Sequence, residues 1–137
     1  MAAALALFSA TFRYALIGLL EIASAEQGVK VSDIAERHAI SSRYLANVMS
    51  QLRRMGLITS QQGRHGGYQL AKAAADINLL GVHQGLAGSA EADAEQGPQQ
   101  SSEQRIPGAD IWLQSIEQRW RAELANTSLQ DVKDYLS

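Results

Sequence analysis

Between residues 41 and 72 the spacing of apolar positions changes period, and two kinds of element follow from the change. Leu45, Val48, Met49 and Leu52 recur at i, i+3, i+4 and i+7, which puts them on one face of a helix predicted over 42–55. Arg43, Asn47, Ser50 and Arg54 form a polar stripe on the other face. Gly56 ends this helix, at a position where a left-handed cap favours glycine. Leu57–Ser60 and Tyr68–Leu70 then read as two short strands. The loop Gln61–Gly67 between them holds three glycines, which permit positive φ.

Upstream, residues 9–25 read as a first helix capped by Ser9 or Thr11, with Phe12, Leu16, Leu19, Leu20 and Ala23 along one face. A turn around Gly28 leads to a second helix at 32–38, with Ser32 as N-cap, Asp33 near the positive end of the dipole, and Ile34 and Ala35 inward. Ile40, in the tight connection that follows, reads as a core plug. Two short helices a few residues apart make a helix-turn-helix, and the added hairpin makes it a winged helix. Downstream, 77–87 reads as a short helix weakened by Gly81 and Gly85, and Gly88 to Pro107 as a flexible Gly/Ser/Ala/Glu/Gln loop. A last long helix runs from about Ala109 to Leu124, with Trp112, Leu113, Ile116, Trp120 and Leu124 as an apolar stripe. That stripe calls for another subunit or for helix one. A short tail helix capped at Thr127 or Ser128 carries Leu129, Val132 and Leu136. The predicted fold class is mainly α with a small β-wing: a winged helix-turn-helix domain over 1–87, a loop over 88–108, and a long C-terminal helix and tail over 109–137.

Composition narrows the chemistry. With 46% hydrophobic and 19% charged residues, the 137-residue chain can bury one core. It has no cysteine, so disulfides, thiolate metal sites and cysteine nucleophiles are excluded. The apolar start MAAALALF lacks a basic leader and is interrupted by Arg13 and Glu21, so neither a signal peptide nor a membrane span is expected, and the reading is cytoplasmic. The net charge of −2 conceals +4 over residues 1–72 and −6 over 73–137. Such a split suits one half that meets a polyanion and another that faces away.

On an arbitrary helix the polar stripe would be only a wet surface; within a winged helix it points to double-stranded DNA. Arginine can read guanine and asparagine adenine, while Ser50 and Gln51 can serve bases or phosphate. Ser41 and Ser42 stand at the helix N-terminus, where hydroxyls and free N–H groups suit a phosphate. Tyr44 is open between a phosphate contact and core packing. The wing tip, Gln62-Gly63-Arg64-His65-Gly66-Gly67, is slim and cationic enough for a minor groove. A nucleotide-cradling loop is disfavoured, because the Gly-Lys-Ser/Thr ending is missing and the loop joins strands instead of opening a helix. His38, His65 and His83 show no metal spacing, and no catalytic constellation stands out, so no enzyme is expected. A metal site built from His83 with Glu91, Asp93 and Glu95 is a remote alternative.

Five segments resemble the Rrf2-type family of winged-helix transcriptional regulators, which includes IscR-, NsrR- and CymR-like proteins. They are Arg13-Tyr14-Ala15-Leu16, Asp33-Ile34-Ala35-Glu36-Arg37, Ile40-Ser41-x-x-Tyr44-Leu45, Leu52-Arg53-x-x-Gly56-Leu57-Ile58-x-Ser60 and Gly66-Gly67-Tyr68-x-Leu70-Ala71, with order and spacing fitting over about residues 8–86. Trp112 and the tail Thr127-Ser128-Leu129-x-Asp131 add to the likeness. The resemblance implies a homodimer on a palindromic operator, with the long helix crossing to the partner through Trp112, Ile116, Trp120 and Leu124. It also implies control by a partner protein or a small ligand. Family members that sense iron–sulfur status, nitric oxide or redox state carry three cysteines in the loop corresponding to about 90–107, and this chain has none, so no cofactor is expected. Some members add an acidic ligand near Arg13, which is cationic here. The wing arginine stands two places later than in the common Arg-Gly-Pro-Gly-Gly-Gly-Tyr, and Ala46-Asn47 replaces a frequent Glu-Gln, so a relative's operator cannot be transferred. The rival reading is a protein-interaction module that uses the winged helix as a scaffold and docks through the acidic half.

Overall fold

The computed structural model describes residues 8–63, 66–94 and 107–137, with side chains over the same ranges except 88–94 and 107. Its elements are helices α1 (Ala10–Ser24), α2 (Val31–His38) and α3 (Ser42–Arg54), strands β1 (Ile58–Gln61) and β2 (Gly67–Leu70), a 3-10 turn at Ala74–Asp76, and helices α4 (Leu79–Ala94), α5 (Pro107–Ala125) and α6 (Leu129–Leu136). The fold is mainly helical with one antiparallel β1–β2 hairpin in the register Ile58↔Leu70 to Gln61↔Gly67.

The helix-turn-helix is built by local caps. Ser9 accepts from the Phe12 N–H at 3.1 Å and starts α1, which leaves Thr11 free for another task. Ser32 does not cap α2: the Lys30 carbonyl already accepts from Asp33 and Ile34, so the helix begins at Val31 and Ser32 points to solvent. The turn between α2 and α3 is a Schellman motif. Ile40 N–H donates to the Ala35 carbonyl at 2.9 Å, and Ala39 takes φ 53, a left-handed conformation that costs an alanine about 1 kcal/mol. The same motif closes α3 with the residue type that suits it: Gly56 has φ 80, and Leu57 N–H reaches the Leu52 carbonyl at 3.1 Å.

The core lies between α1, α3 and α4. Leu45, Val48, Met49 and Leu52 of α3 are buried, as their spacing predicts. On α1 the buried face is instead Phe12, Ala15, Gly18, Leu19 and Ile22, and Leu16, Leu20 and Ala23 are half-buried. Small residues set that face. A Cβ on Gly18 would fall 1.9 Å from Met49 Cε, so this glycine is the notch in which α3 seats against α1. Gly85 plays the same part on α4, where a Cβ would lie 2.2 Å from Met55 Cε. It therefore docks α3, whereas Gly81 faces open space.

α4 extends further than 77–87. It starts after Asn78 and continues to Ala94, so the expected loop does not begin at Gly88. Residues 95–106 of the expected loop lie outside the described residues, and Pro107 and Gly108 already belong to α5. Asn78 ties the C-terminal half together: its Oδ1 accepts from Gly81 N–H at 3.2 Å, capping α4, and its Nδ2 donates to the Ala125 carbonyl at the end of α5 at 2.6 Å. Ser128, with Asp131 reciprocating, caps α6, and the Lys133 Nζ donates to the Ala23 carbonyl of α1.

Candidate nucleic-acid interface

α3 is anchored by its buried face, which forces Arg43, Asn47, Ser50 and Arg54 outward, all four of them exposed. Ser41 accepts from the Tyr44 N–H at 3.2 Å, and Ser42 opens the helix exposed to solvent. Ser41, Arg43, Tyr44 and Asn47 line one open hollow, with the hydroxyl and amide donors of the helix start beside a guanidinium and a carboxamide. Such a donor set fits a phosphate oxygen next to a base edge.

Tyr44 packs within its own chain and stays partly open to solvent. Its ring packs edge-on against Tyr14 at 5.1 Å, and its hydroxyl meets that of Thr11 at 2.7 Å, yet the residue keeps 37% of its surface. Tyr44 is thus a strut from α1 to the start of α3. Thr11 and Tyr14 support the site although no periodicity marks them; only the tyrosine pair on facing helices hints at it. Gln51 is half-buried, with an enclosed Oε1 that has no hydrogen-bond partner among the described residues. Arg54 stays exposed, its Nε 3.4 Å from the Ser50 carbonyl.

The wing is fixed from behind by a contact that the alternation does not reveal. Val29 N–H donates to the Tyr68 carbonyl at 3.0 Å and the Tyr68 N–H to the Val29 carbonyl at 2.7 Å, a bridge that makes the α1–α2 connection a third edge of the hairpin. Gly67 at φ 125 permits this approach, and the buried Gly66 donates to the Gly63 carbonyl at 2.9 Å. Gln62 is exposed on the tip; Arg64 and His65 lie outside the described residues. α2 is held to α1 by Glu21, whose carboxylate accepts from Arg37 and from His38 Nε2, the latter at 2.8 Å.

The tryptophan stripe of α5 divides. Trp120 is half-buried against Phe8 (5.8 Å) and His83 (4.9 Å), and Leu124 packs on the core of its own chain. Ile116 is half-buried. Trp112 keeps 62% of its surface, flanked by the equally open Ile111 and Leu113. Of the four residues expected to face a second subunit, Trp120 and Leu124 thus also pack within their own chain. Ile111 and Leu113 join Trp112 as the unpartnered apolar end. Tyr135 and Leu136, at the end of α6, are also open.

A helix-turn-helix with its second helix exposed and a β-hairpin alongside defines the winged-helix class of DNA-binding folds. The chain belongs to the Rrf2 family, described as iron-dependent transcriptional regulators, which it matches over residues 8–135. It is 51% identical over 67 residues to protein rrf2 of Nitratidesulfovibrio vulgaris, covering 47% of this chain and 45% of that protein. It is 40% identical over 87 residues to the HTH-type transcriptional regulator IscR of Serratia proteamaculans, covering 62% of this chain and 53% of the relative. The matched part thus spans about half the length of each of these relatives. In structure it resembles Staphylococcus aureus CymR, with TM-score 0.77, 27% identity, and coverage of 94% of this chain and 99% of that one.

The iron dependence in the family's description does not fit the donor set of this chain. It has no cysteine, and among the described residues no three His, Asp or Glu side chains come together. The His83 ring faces Phe12, Trp120 and the Arg121 charge. Glu95 lies outside the described residues, and no side chain of Glu91 or Asp93 is described. Among the described residues, no helix is long and apolar enough to cross a membrane.

Proposed function

We propose that this chain is a sequence-specific DNA-binding transcriptional regulator that works in the cytoplasm as a homodimer on a palindromic operator, without a cysteine-ligated iron–sulfur cluster. The observation that carries the reading is the exposed stripe Arg43–Asn47–Ser50–Arg54 on a helix whose other face is fully committed to the core. Arg43 and Asn47 enter the major groove, Ser41, Ser42 and Tyr44 hold the adjoining phosphate, and Arg54 and Gln51 flank it. Gln62, Arg64 and His65 of the wing reach the minor groove. Residues 1–87 form the reading head and 109–137 the dimerisation element, whose self-association brings two heads to half-sites one helical turn apart. The open end of α5 supports that pairing, with Trp112 as its main anchor and Ile116 beside it. No catalytic role is assigned. With no thiolate to sense iron, the controlling input is a partner protein or a small ligand.

Arg64→Ala is expected to weaken binding to an operator fragment and to lower the salt dependence of the binding constant by about one charge. Anisotropy titrations across a salt series measure both. Unchanged affinity and slope would remove the wing from the DNA contact.

A further inference from the structure

Four aromatic rings meet where α1, α4 and α5 join, and one of them is an imidazole. Phe8 stacks on Phe12 at 5.4 Å, Phe12 meets His83 edge-on at 5.4 Å, His83 meets Trp120 at 4.9 Å, and Phe8 closes the ring on Trp120 at 5.8 Å. His83 is half-buried, with no hydrogen bond to its ring among the described residues. A phenylalanine or leucine would make the same contact at any pH; an imidazole here gains a charge on protonation, in a partly buried place beside the Arg121 charge. The rings on either side belong to the reading head, through Phe12 on α1, and to the dimerisation helix, through Trp120.

We propose that His83 is a proton-operated latch: its neutral ring seats α5 against α1 and α4, and its protonation releases the Trp120 side of α5 from the reading head. The regulation concerns the DNA reader proposed above, and the latch stands on the intrachain contact alone.

The charges around the ring favour release. α1 offers Phe12 and the segment before its cap offers Phe8, with Arg13 exposed to solvent. α4 brings no charged side chain between Leu79 and Ala87. α5 brings Arg121, which reaches over the Trp120 ring at 5.9 Å and is paired with Glu117 at 2.9 Å, while Arg119 is exposed. No described carboxylate pairs with the imidazole to hold it as a cation. Burial first, and the Arg121 charge second, hold the His83 imidazole below its ordinary value of 6.5. The seated ring therefore binds a proton less readily than a released one. The contact has full strength above the ordinary imidazole value, and weakens as pH falls through that value toward the lower one of the seated ring.

The test uses the full chain with Trp112→Phe, so that Trp120 is the single tryptophan. Trp120 emission is followed from pH 8 to pH 5 while the His83 ring proton is titrated by NMR. The latch predicts a midpoint for His83 below 6.5 and a red shift of Trp120 that follows it, absent in the further variants His83→Phe and His83→Gln. Phe retains a ring without a proton to gain; Gln is a smaller non-titrating replacement should Phe overpack the site. Trp120 emission that stays flat while His83 titrates, or an equal red shift in both variants, would overturn it. DNA affinity of the parent chain, with Trp112 in place, measured over the same pH range separates the two ideas. A chain that binds no DNA at any pH contradicts the reader, and the Trp120 signal still decides the latch.

Discussion

Replacing Gly67 with alanine is expected to lower stability by about 3 kcal/mol or more and the melting temperature by about 10 °C. The backbone at Gly67 has φ 125, where an L side chain is strained. A Cβ there would stand 2.5 Å from the carbonyl carbon and oxygen of Val29 and 2.9 Å from its nitrogen. These are main-chain atoms that cannot swing aside, so the chain must open the Val29–Tyr68 bridge and lose both of its hydrogen bonds. The wing then loses its rear support and its register against β1, and DNA affinity falls with it. Gly81 is the control: exposed within α4 with nothing within 4 Å of a new Cβ, its replacement by alanine is expected to raise stability by about 0.5–1 kcal/mol. Thermal and urea denaturation of the two variants measures the contrast. A Gly67→Ala protein as stable as the parent would contradict the bridge.

The two tryptophans of α5 are expected to fail in different ways. Trp120→Ala empties the half-buried place beside His83 and Phe8 and costs about 2–3 kcal/mol of fold stability, less than for a fully buried ring. Trp112→Ala leaves the isolated chain nearly unchanged, because 62% of that side chain is already in solvent. It should instead raise the dimer dissociation constant about 30-fold, equivalent to about 2 kcal/mol for a central aromatic anchor. Sedimentation equilibrium reads the second effect. Melting at several protein concentrations separates the two, since a dimerising parent is expected to melt higher as concentration rises. A Trp112→Ala chain that dimerises like the parent would move the interface away from the open end of α5.

The parts of this fold legible in the sequence are those set by neighbours along the chain. The buried face of α3, the left-handed end at Gly56 and the Ser128 cap each follow from a spacing or from one residue type. Gly66-Gly67-Tyr68 could be read as a turn, but the reason for Gly67 lies in Val29, 38 positions earlier. Phe12 and Leu19 are legible on the buried face of α1, but the rest of that face is not, for a similar cause. Leu16 and Leu20 outrank Ala15 and Gly18 in hydrophobicity, yet the close approach of Met49 demands the smaller residues. Trp112 and Trp120 share one apolar stripe, and only the position of α4 decides which of them its own chain covers. In the candidate site, the exposure of Arg43 and Asn47 is readable from the amphipathic pattern, whereas the half-burial of Gln51 is not, and Thr11 enters only through its hydroxyl bond to Tyr44.

The central claim is that the outward stripe of α3 reads DNA sequence. Genomic fragments retained by the parent chain are to be selected at moderate salt, and the affinity of Asn47→Ala for a retained fragment compared with its affinity for random DNA. A loss of about 1–3 kcal/mol on the selected fragment, with little change on random DNA, is the predicted result. Equal losses on both, or no fragment retained even at low salt, would contradict it.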